Sequence, residues 1–119
     1  MTASSDRDRL RVVAMTQAAE EAKRDSERGR EAFLEPGLIQ KAVLLDLIHF
    51  TESAGKVSSG LKKANSNVNW ERLSRLRNRG LVHDYAEVDL EDVWAFVRRE
   101  LPRLRRQLNR LTYPDEDAT

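Results

Sequence analysis

The chain has 119 residues, 34% of them charged and 6% aromatic, with no cysteine and a formal net charge of +1. That length supports one modest core; the lack of Cys excludes a disulfide scaffold and thiolate metal centres, and the near-zero charge excludes a general polyanion binder. Five Gly and three Pro beside abundant Ala, Leu, Arg, Glu and Lys favour helix over a many-turned β protein. The longest apolar run, Ala42 to Leu45, is cut by Asp46, so no membrane span or secretory segment is expected and a cytoplasmic location is.

In chain order, Ser4, Ser5 and Asp6 can cap a first helix running to about Asp25. Its apolar stripe reads as Leu10, Val13, Ala14, Gln17, Ala18 and Ala22, thin but helical in period. A short helical turn is expected over 26–34, closed by the break Glu35-Pro36-Gly37. A long second helix is predicted from Leu38 to about Ala64. Leu38, Ile39, Ala42, Val43, Leu45, Leu47, Ile48 and Phe50 cover more than one of its faces, which makes it central. Its later half, Glu52 to Val57, is small and polar and admits a close neighbour. Asn65-Ser66-Asn67 reads as a loop, and Asn69 as the cap of a third helix that starts at Trp70 and ends near Tyr85. Val88 and Asp89 lead into a last helix striped by Val93, Val97, Leu101, Leu104, Leu108 and Leu111, bent at Pro102 and ended by Tyr113-Pro114. The reading is an all-α antiparallel bundle of about four main helices, one domain over 1–113 with an acidic, disordered tail over 114–119. Trp70 and Trp94 are expected in the core, and His49 in the core or an interface.

Charge is unevenly placed. Between Trp70 and His83 lie Arg72, Arg75, Arg77 and Arg79 with one Glu; between Val97 and Arg110 lie Arg98, Arg99, Arg103, Arg105, Arg106 and Arg110 with one Glu. Such local faces attract phosphate even in a near-neutral chain. The stretch Arg77 to Tyr85 gathers two Arg, Asn78, His83 and Tyr85 in a protein with only two His. RNA carries its own nucleophile, the 2′-hydroxyl. Its cleavage needs an acid, a base and positive charge on the phosphorane-like transition state, and no metal or cofactor. His83 can move the proton, Arg77 or Arg79 can fork onto phosphate oxygens, and Asn78 and Tyr85 can position groups. Glu52 is expected as a buried carboxylate on the long helix that can orient an arginine. One chain supplies one such His, so a homodimer that brings two copies to one cleft is expected. On a regular helix Arg77 and His83, six apart, sit about 120° from each other, whereas Arg79 and His83, four apart, share a face. Either Arg79 is the working arginine, or Gly80 opens a one-residue bulge that re-aims Arg77.

The segment resembles the Arg-x(4–6)-His motif of HEPN-domain ribonucleases, and specifically the HepT-like toxins, with Asn78 after Arg77 and Tyr85 two after His83. Four residues, Arg79 to Val82, stand between Asn78 and His83 where the narrower HepT pattern has three, and Gly80 is the extra one. Glu52-Ser53-Ala54 is similar to the family's Gly-Glu-Ala, with Thr51 in place of Gly. Asp89, Val93-Trp94 and Leu101-Pro102 resemble further family positions, so the resemblance covers about residues 40–111. It implies a dimeric toxin ribonuclease acting on tRNA or mRNA, paired with a minimal nucleotidyltransferase antitoxin that adds AMP to Tyr85. The rival reading is a catalytically inactive HEPN-type dimerisation module that binds the nucleotidyltransferase alone. A non-catalytic helical RNA binder is a third. No Walker-type loop, HExxH or metal-ligand cluster is present to support an ATPase or metallohydrolase.

Overall fold

The computed structural model describes residues 3–81 and 88–114, and among these the chain is helical with no strand. The helices are α1 (Ala3–Ser26), α2 (Arg30–Leu34), α3 (Leu38–Gly55), α4 (Ser59–Ala64), α5 (Trp70–Arg75), α6 (Leu90–Ala95) and α7 (Leu101–Leu108). Two π-helical stretches extend them: Leu76–Leu81 continues α5, and Phe96–Glu100 joins α6 to α7. This is the expected all-α bundle. No described helix is long and apolar enough to cross a membrane.

The principal packing is α1 against α3, with α5 and α7 closing the core. Met15, Phe33, Leu47, Phe50, Leu61, Leu73, Phe96 and Leu101 are fully enclosed. Burying such side chains at about 25 cal/mol per Å² is what holds helices this short together, since a helix under about 12 residues is marginal alone. The last-helix stripe is buried as expected from Val93 through Leu108, with Leu111 packed on its edge. Trp70 and Trp94 lie half-buried against the core rather than inside it; Trp94 stacks on Phe33 at 5.5 Å, and the Trp70 indole donates to the Asn65 carbonyl at 3.1 Å. Gly29 holds φ of 99°, a left-handed value that suits glycine, and so turns the chain from α1 into α2.

Three further expectations need correction. The buried stripe of α1 is Val12, Met15, Ala18, Ala19 and Ala22, whereas Leu10 and Val13 are 69% and 51% exposed. The alanine ridge wins because it lets the bulky face of α3 approach closely. The long helix does not reach Ala64 unbroken: it ends at Gly55, and α4 starts again after Ser58. The buried Asp8 carboxylate accepts from the Ser58 backbone N–H at 2.9 Å and from its hydroxyl at 2.6 Å, and the Ser58 Oγ in turn caps Leu61 at 3.2 Å. Of the two places expected for His49, the core is excluded, since the side chain is exposed on α3. The other local readings match. Asn69 caps α5 by accepting from the Arg72 N–H at 3.0 Å, and Asp89 caps α6 by accepting from the Asp92 N–H at 3.1 Å. The widening at Phe96–Glu100 sits where Pro102 withdraws the donor that the Arg98 carbonyl would have used.

One buried acid interrupts the α1–α3 packing. Asp46 is 7% exposed, and its Oδ2 has no hydrogen-bond partner among the described residues. Burial, followed by the neighbouring carboxyls of Asp25 and Glu21, pushes its pKa up to about 8.

Candidate active site

Arg77 and Asn78 sit in the π-helical stretch Leu76–Leu81, together with Arg79 and Gly80. A π turn takes in one residue more than an α turn, which corresponds to the second of the two solutions the spacing left open. The arginines before it are engaged in structure. Arg72 donates to Glu100 at 3.1 and 3.0 Å, reaches Asp92 at 3.3 Å, and lies over the Phe96 ring at 5.5 Å. Its hydrogen bonds to Glu100, above all, hold its pKa above the ordinary arginine value. Arg75 pairs with Glu71 at 3.8 Å. Arg77 differs: its Nε is buried and has no partner among the described residues. An unsatisfied buried donor costs about 1–3 kcal/mol, so such a group is a natural receptor for an anion.

Arg77 shares a surface pocket of about 330 Å³ with Glu52, Gly55 and Lys56. That volume is at the small end of the roughly 300–1,000 Å³ typical of ligand sites. Glu52 is half-buried rather than buried, and it forms no ion pair with Arg77 among the described residues. Thr51, where the resemblance has Gly, is enclosed and donates its hydroxyl to the Leu47 and Ile48 carbonyls at 2.9 and 3.2 Å, so α3 stays regular beneath the pocket. Asn78 is exposed and donates to Ser74 Oγ at 3.5 Å. The structure thus brings Arg77 and Glu52 together. His83 and Tyr85, with Asp84 and Glu87, lie outside the described residues, as does the tail over 115–119, and the Arg79 side chain is likewise not described.

Lys56 was not singled out as a site residue, yet it falls four residues after Glu52 on one helix face, a signal present in the sequence. A second groove continues from the same residues along α1 and α3, lined by Gln17, Glu21, His49, Glu52, Ser53 and Lys56. An exposed imidazole, two carboxylates and two cations therefore line the adjoining pockets. Among the described residues no group of His, Cys, Asp or Glu could hold a metal ion.

A family model described as HepT-like, ribonuclease HepT-like, matches residues 15–111. The chain belongs to the HepT-like ribonuclease family. The match takes in Glu52, Lys56 and the whole π-helical stretch, so it covers every element that builds the Arg77 pocket. Among curated relatives, a protein of Thermococcus cleftensis named "Probable ribonuclease HepT" is 27% identical over 81 residues, covering 68% of this chain and 73% of that one. A protein of Caldanaerobacter subterraneus subsp. tengcongensis named "Putative RNase TTE0752" is 22% identical over 81 residues, covering 68% and 71%. No solved structure matches. Membership in this family makes ribonuclease the activity class, with RNA as the substrate class.

Proposed function

We propose that this HepT-like protein is a metal-independent endoribonuclease toxin that cuts RNA by 2′-hydroxyl transphosphorylation at a cleft shared by two subunits. The observation that carries the reading is the buried Arg77 Nε, without a partner among the described residues and set on a π turn beside Glu52 and Lys56. Because that turn absorbs one extra residue, the separation of six between Arg77 and His83 stands for the separation of five in the narrower HepT pattern. That count, with the buried Nε of Arg77, favours Arg77 over Arg79 as the phosphate-holding residue. It also speaks against the inactive-module reading, which rested on the extra residue before His83.

In the proposed reaction the 2′ oxygen attacks the adjacent phosphorus while a His83 imidazole takes its proton. Arg77 forks onto the non-bridging oxygens as charge builds on them. The second subunit's imidazole gives a proton to the departing 5′ oxygen. The products are a 2′,3′-cyclic phosphate and a 5′-hydroxyl, and the proton balance closes through solvent. Asn78 and Tyr85 position these groups, and Glu52 orients Arg77.

The homodimer is supported by the uncovered stripe on α1. Leu10 and Val13 have the period of a buried face yet remain 69% and 51% exposed, and Leu45 on α3 is 52% exposed. These flank the groove that carries His49 and leads to the Arg77 pocket. A second copy would cover them. A cognate minimal nucleotidyltransferase antitoxin that adds AMP to Tyr85 completes the proposal, in a cytoplasmic setting. Negative charge placed there would repel the phosphate that Arg77 binds. The test is cleavage of a single-stranded RNA by Arg77→Ala, Arg79→Ala and His83→Ala proteins. Loss of at least about a hundredfold is expected for Arg77→Ala and His83→Ala, with a smaller loss for Arg79→Ala. Undiminished cleavage by His83→Ala would overturn the assignment.

A further inference from the structure

Four arginines form a line on the outer side of the last helix. Arg103 and Arg106 lie on α7, Arg99 one turn before it and Arg110 in the turn that closes it; all four are exposed. At about 100° per residue they fall within about 60° of one another, opposite the buried Leu101, Leu104 and Leu108. None of the four has a hydrogen bond or ion pair among the described residues, whereas their neighbours are engaged: Arg98 lies over Trp94 at 5.6 Å and Arg105 meets Glu20 at 3.7 Å. Four like charges in one line repel, at a cost that a folded helix has no structural need to bear.

The line is about 16 Å long at 1.5 Å per residue. It adjoins α5, because Arg103 shares a polar pocket with Asn67, Asn69, Arg72, Glu100 and Gln107. From Asn69 to Arg77 is about 12 Å along that helix. The strip therefore lies a few nucleotides' reach from the proposed scissile position. Its apolar side is buried in the core, so it has no wedge for a lipid surface. Glu100 beside the strip is taken up by Arg72, so the four guanidinium groups stay unneutralised among the described residues, and such a row matches the repeating charge of a phosphodiester backbone.

We propose that Arg99, Arg103, Arg106 and Arg110 form an RNA-backbone exosite, which holds the strand away from the cleaved bond and sets the affinity for long substrates. The inference rests on the ribonuclease reading and adds a second contact region to it. The test replaces all four by Gln and compares cleavage of a dinucleotide with cleavage of a single strand of about 20 nucleotides. A control variant removes the same charge elsewhere, with Arg11, Arg24, Arg28 and Lys41 changed to Gln. Binding is followed in parallel against salt in a His83→Ala background.

For the strip variant, KM for the long RNA rises on the order of tenfold or more with kcat retained, and dinucleotide cleavage is unchanged. The slope of log affinity against log salt becomes shallower by roughly 3, since each lost phosphate contact removes about 0.7. An unchanged KM and slope would overturn the exosite, as would the same changes in the control variant. So would RNA binding that persists while capture of an acidic partner protein is lost. A parent that cuts neither RNA overturns the ribonuclease reading instead, and the salt slopes still decide the strip.

Discussion

Asp46 is the side chain whose state most directly governs stability. Its carboxyl stays protonated in the fold up to about pH 8, against 3.8 for the ordinary group, because of burial and then the Asp25 and Glu21 carboxyls. The folded pKa is raised, so the stabilising state is complete below about pH 4 and is lost as pH rises towards 8. Over that window the unfolded chain releases a proton that the fold retains, at about 1.4 kcal/mol per pH unit. Asp46→Asn removes the titration and keeps the shape. The variant is expected to match its parent near pH 4 and to exceed it at pH 8, by up to about 5 kcal/mol. Urea midpoints at the two pH values check this, and parallel pH profiles would contradict it. The engaged and unengaged arginines make the complementary point. Sequence lists Arg72, Arg75, Arg77 and Arg79 as equals. Only the meeting of α5 with α6 and the following turn assigns Arg72 to Glu100 and Asp92 and leaves the Arg77 Nε without a partner among the described residues.

Helix type decides the site's register. If the π turn at Leu76–Leu81 accommodates one inserted residue, deleting Gly80 turns it into an ordinary α turn and leaves Arg77 and the residues after it in their relative places. Such a deletion is expected to retain cleavage within about tenfold. Inserting an alanine after Gly80 is expected to cost about a hundredfold or more, because a displacement near 1 Å is enough for that. Rates on the same RNA, with far-UV circular dichroism as the fold control, test both. The local features were legible because their causes are local: the Asn69 and Asp89 caps, the Glu35-Pro36-Gly37 break, the Pro102 disturbance and the four-three leucine stripe. The bulge was legible as one of two solutions to a spacing conflict. What sequence missed was settled at a distance. The break after Gly55 depends on Asp8, 50 residues before Ser58. The buried face of α1 depends on which of two overlapping apolar stripes α3 selects. The neighbours of Arg77 come from α3, far away in the chain.

A single subunit leaves the α1 stripe of Leu10 and Val13 uncovered, beside the groove of His49, Glu52 and Lys56. The changes Leu10→Asp and Val13→Asp touch no residue of the Arg77 pocket and remove no buried contact. The double variant is expected to sediment as a monomer, keep its helix content and lose RNA cleavage together with dimerisation. A monomeric parent with full activity would remove the shared cleft from the account. The chemistry itself has a more direct test. RNA incubated with the parent protein in excess chelator is expected to be cut, leaving 2′,3′-cyclic phosphate and 5′-hydroxyl ends, and to stay intact with His83→Ala. Cleavage that requires an added divalent metal and leaves 5′-phosphate ends would contradict the account.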